Sequence, residues 1–154
     1  MHTPGGWQVH LTGKVSQEHR MGFSDDWRPW YEALAKPSWT PAPATIGMIW
    51  QVLYPIILVT FGFVLVQAFR GRIPWRVLLP FAVNLAANLA FTPLMFDLRN
   101  ISLATLDILL VWGTIVWIMV TIWPYYRWVA LAQLPYLVWV SIATTVQVSI
   151  WWGN

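Results

Sequence analysis

Charge is almost absent from most of the chain. There is no charged side chain between Lys36 and Arg70 or between Arg76 and Asp97, only Asp107 between Arg99 and Arg127, and none after Arg127. A backbone in hydrocarbon must satisfy its N–H and C=O groups internally, which leaves helices and closed barrels as spanning structures. Uninterrupted apolar runs of about 20 residues match a crossing helix and exceed the alternating strands of a barrel. The expected fold is therefore an all-α integral membrane protein, a bundle of four transmembrane helices at about 44–69, 77–96, 101–123 and 128–152. With 58% hydrophobic and 10% charged residues in 154, the chain is too apolar for an ordinary soluble domain and too short for two large ones.

The ends of the runs carry breakers: Arg70-Gly71-Arg72-Ile73-Pro74, then Asp97 to Asn100, then Pro124. Short connections make neighbouring helices antiparallel, and four spans put both termini on one side. Tryptophans mark the two water interfaces, Trp39, Trp151 and Trp152 on the terminal side and Trp75, Trp123 and Trp128 on the other. Arg70, Arg72, Arg76 and Arg127 fall opposite the termini, against Arg28, Lys36 and Arg99 beside them, so the positive-inside rule favours termini outside the cytoplasm. The net charge of +3 follows from these loops, reports topology and points away from a nucleic-acid partner. Zero cysteines exclude disulfides and thiolate chemistry. Residues 1–29, with all three histidines and mixed charges, read as a polar N-terminal extension, and no signal peptide is visible.

From Trp30 to Trp50 the chain reads W-Y-E-A-L-A-K-P-S-W-T-P-A-P-A-T-I-G-M-I-W. Pro37, Pro41 and Pro43 fix φ and remove donors, so a stiff, extended connection precedes the first span. Trp30, Tyr31 and Trp39 beside it suit a headgroup-level lid over a bundle. Pro55, Pro80, Pro93 and Pro135 lie within spans, where each tends to kink its helix and open space between neighbours.

Counting rise per residue from the terminal side brings Trp50, Asn88, Phe91, Asp107 and Gln147 to similar depth under this lid, with Trp139, Ala143 and Thr144 continuing the line inward. Asp107 is the only intramembrane charge, and two roles stay open for it: hydrogen-bonding glue with Asn88, or ligand contact. Asn84 and Asn88, four apart, share a helix face, and packing glue is the expected role of Asn84. Trp50 and Trp139 beside small Ala143 form either ordinary core or a ring-stacking site. No span supplies a histidine, so iron ligation by imidazole is not expected. Met48, Met95 and Met119 read as apolar packing rather than axial ligands.

The lid pattern W-Y-x-x-L-x-K-P-x-W-x-P, with Trp50 and Leu53-Tyr54 following, resembles the first loop of the TspO/MBR family. So do Asn84-x-x-x-Asn88-x-x-Phe91-Thr92-Pro93, Leu103-Ala104-Thr105-Leu106-Asp107, and Pro135-Tyr136-Leu137-x-Trp139-x-x-x-Ala143-Thr144. The resemblance runs from about Trp30 to the C-terminus and not over the first 29 residues, so the family's first helix has no counterpart. It implies a pocket for a porphyrin, another tetrapyrrole or a related flat hydrophobic molecule, closed by the loop. The ligand-binding set it adds to or sharpens is Tyr31, Trp39, Trp50, Tyr54, Asn84, Asn88, Phe91, Asp107, Trp139, Ala143 and Gln147. No obligatory cofactor, metal or catalytic residue is implied.

A groove between the first two spans also follows from the missing helix. A partner transmembrane helix, a second copy forming a homodimer, or the extension folded back would each fill it. Two further functional readings stand beside a tetrapyrrole-binding regulatory protein in the lipid bilayer of a bacterial cell: an accessory or assembly subunit of a larger membrane complex, and a light-dependent porphyrin-degrading enzyme.

Overall fold

The computed structural model describes residues 27–154, and every regular element in them is helical. The lid helix α1 covers Trp27–Ala33 and α2 runs Pro43–Phe69. A 3-10 turn, Trp75–Val77, leads into α3, Leu78–Thr92, which continues into a π-helical turn, Pro93–Asp97. Then come α4, Ile101–Ile122, α5, Arg127–Ala132, and α6, Leu134–Gly153.

Four segments are long and apolar enough to cross a membrane: Pro43–Phe69, Trp75–Asp97, Ile101–Ile122 and Arg127–Gly153. The shortest, 22 residues, reaches about 33 Å at 1.5 Å per residue, against a hydrocarbon core of about 30 Å. Each expected span lies within two residues of an observed one at both ends. The expected extension over 1–29 falls outside the described residues as far as Asp26, and Trp27 to Pro29 belong to α1.

Local chemistry explains where the helices stop. After α2, Gly71 adopts φ +68°, Arg72 N–H donates to Gln67 O and Gly71 N–H to Ala68 O, each at 3.0 Å. That pair of bonds is a Schellman motif, which satisfies carbonyls the helix end would orphan. Asn100 caps α4 by accepting from Leu103 N–H at 3.0 Å.

The prolines divide into two behaviours. Pro55 sits inside an unbroken α2, and Pro80 occupies the first turn of α3, where a missing donor costs little. Pro93 and Pro135 coincide with breaks. At Pro93 the chain widens into the π turn, with Leu98 N–H donating to Pro93 O at 2.9 Å. At Pro135 the fourth span divides into α5 and α6 around buried Gln133, whose amide donates to Thr60 Oγ1 at 3.0 Å. Two of the four prolines thus fall at a change or division of their helix.

Helix α4 is the centre of the bundle, packing most extensively on α3 and α6, whereas α2 meets α3 and α5 over much smaller surfaces. The buried side chains form two clusters at opposite membrane depths. Away from the lid, Val64, Ala68, Val77, Phe81, Ile118, Ile122, Val129 and Ala130 pack together, several at 0% exposure. Small and β-branched residues from four elements come together there. Nearer the lid, Leu53, Ile57, Ala87, Ile108, Val111, Ile115, Tyr136, Trp139 and Val140 form the second cluster, of which Ile108, Val111, Trp139 and Val140 line a cavity.

Candidate functional site

The roof starts with α1. Lys36 Nζ donates to the carbonyls of Tyr31, Glu32 at 3.1 Å and Leu34 at 3.2 Å, placing a cation at the helix C-terminus, where the macrodipole favours it. The same ammonium lies 4.7 Å from the centre of the Tyr31 ring. Trp27 and Tyr31 pack on Phe96 with ring centres 5.0 and 5.8 Å away, so the π turn of the second span holds one edge of the roof. Burial at this contact pushes the Tyr31 phenol above its ordinary pKa. Beyond Lys36 the proline segment is not uniformly extended. It folds a turn in which Thr40 N–H and Oγ1–H both donate to Pro37 O, at 3.0 and 2.7 Å. Thr40 and Pro41 thereby come down onto the cavity.

Beneath this roof is a largely apolar chamber of about 330 Å³, at the lower end of the range for small-molecule sites, roughly 300–1,000 Å³. One wall is aromatic: Trp50 and Tyr54 stack with centres 5.2 Å apart, and Trp50 meets Tyr136 edge-on at 6.1 Å. Two of the lining residues, Tyr54 and Ile142, are 38% and 39% exposed, so the chamber is not sealed from its surroundings.

A chain of polar groups runs from the wall into the bundle. Tyr54 O–H donates to Asn88 Oδ1 at 3.3 Å, Asn88 Nδ2 to Tyr136 Oη at 2.8 Å, and Tyr136 O–H to Asn84 Oδ1 at 3.2 Å. Asn84 Nδ2 completes it with Thr114 Oγ1 at 2.9 Å and Val111 O at 3.2 Å. Four helices are tied together by groups that would be costly to leave unpaired in hydrocarbon. At the opposite side Gln147 Nε2 reaches Thr105 Oγ1 at 3.3 Å, Ile101 O at 3.5 Å and Met95 Sδ at 3.6 Å. Trp139 Nε1, by contrast, is buried with no partner among the described residues.

The sequence model of the TspO/MBR family matches residues 7–152, nearly the whole chain. This chain belongs to the TspO/MBR family. The match begins upstream of Trp30, so residues 7–29, the greater part of the expected polar extension and outside the motif resemblance, are also part of the matched region. Among curated relatives, the tryptophan-rich protein TspO of Bacillus cereus is 42% identical over 85 residues, 54% of each chain. The human translocator protein is 33% identical over 100 residues, 60% of this chain and 58% of its own length, and CrtK of Rhodobacter capsulatus is 30% identical over 83 residues. The chain spans about half the length of the curated relatives it matches.

Of the family-type site residues, Tyr31, Trp50, Tyr54, Asn88, Phe91, Trp139, Ala143 and Gln147 line the chamber. Trp39, Asn84 and Asp107 do not. Trp39 is 55% exposed at the outer surface of the turn, because the Pro37–Thr40 turn directs Thr40 inward instead. Asn84 lies below the chamber, spent on Tyr136, Thr114 and the Val111 carbonyl, in keeping with its expected role as glue. Asp107 is buried, but Asn88 is engaged by Tyr54 and Tyr136, and Asp107 Oδ2 has no partner among the described residues.

The motif reading also missed residues that matter. Tyr136 is the hub of the polar chain, 1% exposed, and its spacing from Trp139, Ala143 and Gln147 already put it on the same helix face. Met95 and Phe96 line the chamber from within the π turn, where the spacing of a regular helix no longer applies.

Proposed function

We propose that this TspO/MBR membrane protein is a binding and regulatory protein that holds a porphyrin or related flat hydrophobic molecule under the roof formed by α1 and the proline segment. The observation that carries the reading is the Trp139 indole. Its buried N–H has no acceptor among the described residues while the residue lines an apolar, aromatic-walled chamber, so a ligand that stacks flat and offers an acceptor would satisfy it. Trp50 and Tyr54 supply the stacking surface, and Asn88 on the wall adds polar recognition. The chamber wall offers no nucleophile paired with a base, so binding is the leading role and porphyrin breakdown the alternative.

In this reading ligand enters and leaves on the lid side, away from the buried cluster at the far end. Arg70, Arg72, Arg76 and Arg127, all exposed at that far end, favour a cytoplasmic far face and a lid outside the cytoplasm.

Titration of the purified protein with protoporphyrin IX, followed by tryptophan quenching, tests the site. Saturable quenching is expected, with affinity lowered about tenfold by Trp139→Ala and less by Trp50→Phe, which keeps a ring. Flat or nonsaturable quenching in the unaltered protein would remove the reading.

A further inference from the structure

The roof is fastened along a second edge, and by residues that take no part in lining the chamber. Asn154 Oδ1 accepts from Ala35 N–H at 3.1 Å, and its Nδ2 donates to Ala35 O at 3.2 Å and to Ile150 O at 2.8 Å. One side-chain amide thus pairs with both polar groups of a single backbone unit, 119 positions away in sequence, while anchoring itself to the last turn of α6. The approach is close because position 153 is glycine. A Cβ there would meet Ala35 Cβ at 3.3 Å and Ala35 O at 3.8 Å.

Ala35 is where such a fastening has most leverage. It joins α1, clasped to Phe96 through Trp27 and Tyr31, to the segment that brings Thr40 and Pro41 onto the chamber. The Phe96 clasp is made of ring contacts that tolerate sliding, whereas the Asn154 pair is directional, on an exposed face, and breaks as a unit. No residue of α1 is fully buried.

We infer that Gly153 and Asn154 form a latch between α6 and the roof, and that opening of this latch sets the rate at which ligand enters and leaves the chamber. Both are positioning residues acting through Ala35. The kinetic part rests on the ligand reading above, and the mechanical part does not.

Two measurements on the full chain in lipid nanodiscs separate them. The first is hydrogen exchange across residues 31–41, without ligand. Asn154→Ala, which deletes both bonds to Ala35, is expected to raise exchange there by about tenfold and leave α4 unchanged, whereas Asn154→Asp, which keeps an acceptor for the Ala35 N–H, raises it less. Equal exchange in the unaltered protein and Asn154→Ala would overturn the latch, whether or not the protein binds a porphyrin.

The second uses the absence of native cysteine. Ala35→Cys with Gly153→Cys places two Cβ atoms a few tenths of an ångström inside the usual disulfide spacing of about 3.5–4.5 Å, a distance a surface segment can relax. Oxidised, this variant should release bound protoporphyrin IX at least about tenfold more slowly than the same protein reduced, and Asn154→Ala should release it faster than the unaltered chain. Equal release from the oxidised and reduced forms would show that ligand leaves by another route and overturn the kinetic role. Failure of the unaltered protein to bind protoporphyrin IX would count against the ligand reading and, with it, the kinetic role, while the exchange measurement still decides the latch.

Discussion

Tyr136 shows how much one side chain can hold in a membrane bundle. Its hydroxyl accepts from Asn88 and donates to Asn84, so Tyr136→Phe keeps the ring in place while stranding one amide donor and one amide acceptor. A buried unsatisfied group costs about 1–3 kcal/mol, though membrane bundles often recover part of this by rearrangement. The expected outcome is a loss of about 1–2 kcal/mol in a reversible detergent unfolding assay. Tyr136→Phe should also loosen Tyr54, because Asn88 then lacks one of the two partners that orient it. Trp139 is the opposite case, a buried donor that nothing among the described residues accepts from. Tyr136 and Asn84 are paired with one another and with their neighbours and read as scaffold, whereas the unpaired indole reads as recognition.

At the scale of elements, turn chemistry sets where each helix ends and how the next begins. Gly71 carries the Schellman turn between α2 and the second span at φ +68°, a backbone region that costs a side-chain-bearing residue about 1–2 kcal/mol. Open space surrounds the position, so Gly71→Ala meets no clash and its cost is purely conformational. A drop of about 1 kcal/mol in the same unfolding assay is the expected result.

The roof element makes a prediction about pH. Burial raises the Tyr31 phenol above its ordinary value near 10, so the closed roof favours the neutral form. Its contribution is complete below that ordinary value and is lost as pH climbs through the raised one. Hydrogen exchange in residues 31–41, corrected for its intrinsic pH dependence, should rise above about pH 10 in the unaltered protein and stay flat in Tyr31→Phe. The Lys36 ammonium over the ring faces the same phenol, and Lys36→Met should raise exchange at lower pH by removing three contacts to α1 carbonyls.

For the whole molecule, asymmetry between the two ends is the organising fact. One end gathers Val64, Ile122, Val129 and Ala130 in a fully buried cluster, and the other encloses a chamber under a roof fastened at Phe96 and Asn154. Orientation in the membrane then decides which compartment the roof faces. A cysteine introduced as Ser38→Cys, exposed in the turn, should be labelled by a membrane-impermeant maleimide on intact bacterial host cells lacking an outer membrane. A cysteine at Arg72, by Arg72→Cys, should react only after lysis. The reverse pattern would invert the proposed topology.

The sequence by itself determined the class and the outline. Runs without charge can only be spans, the breakers at Arg70–Pro74, Asp97–Asn100 and Pro124 bound them, and motif spacing put Trp50, Asn88, Trp139 and Gln147 at one depth. These features are local, set by transfer free energy and helix geometry along a single segment. What only the tertiary structure decided was direction. The Pro37–Thr40 turn pointed Thr40 inward and Trp39 outward, the π turn swung Met95 and Phe96 into the chamber, and Tyr136 displaced Asp107 as the partner of Asn88. Asn154 found Ala35 across nearly the full length of the chain. Such pairings depend on which helix faces which and on a few degrees of backbone twist, and neither quantity is written in the order of residues along one helix.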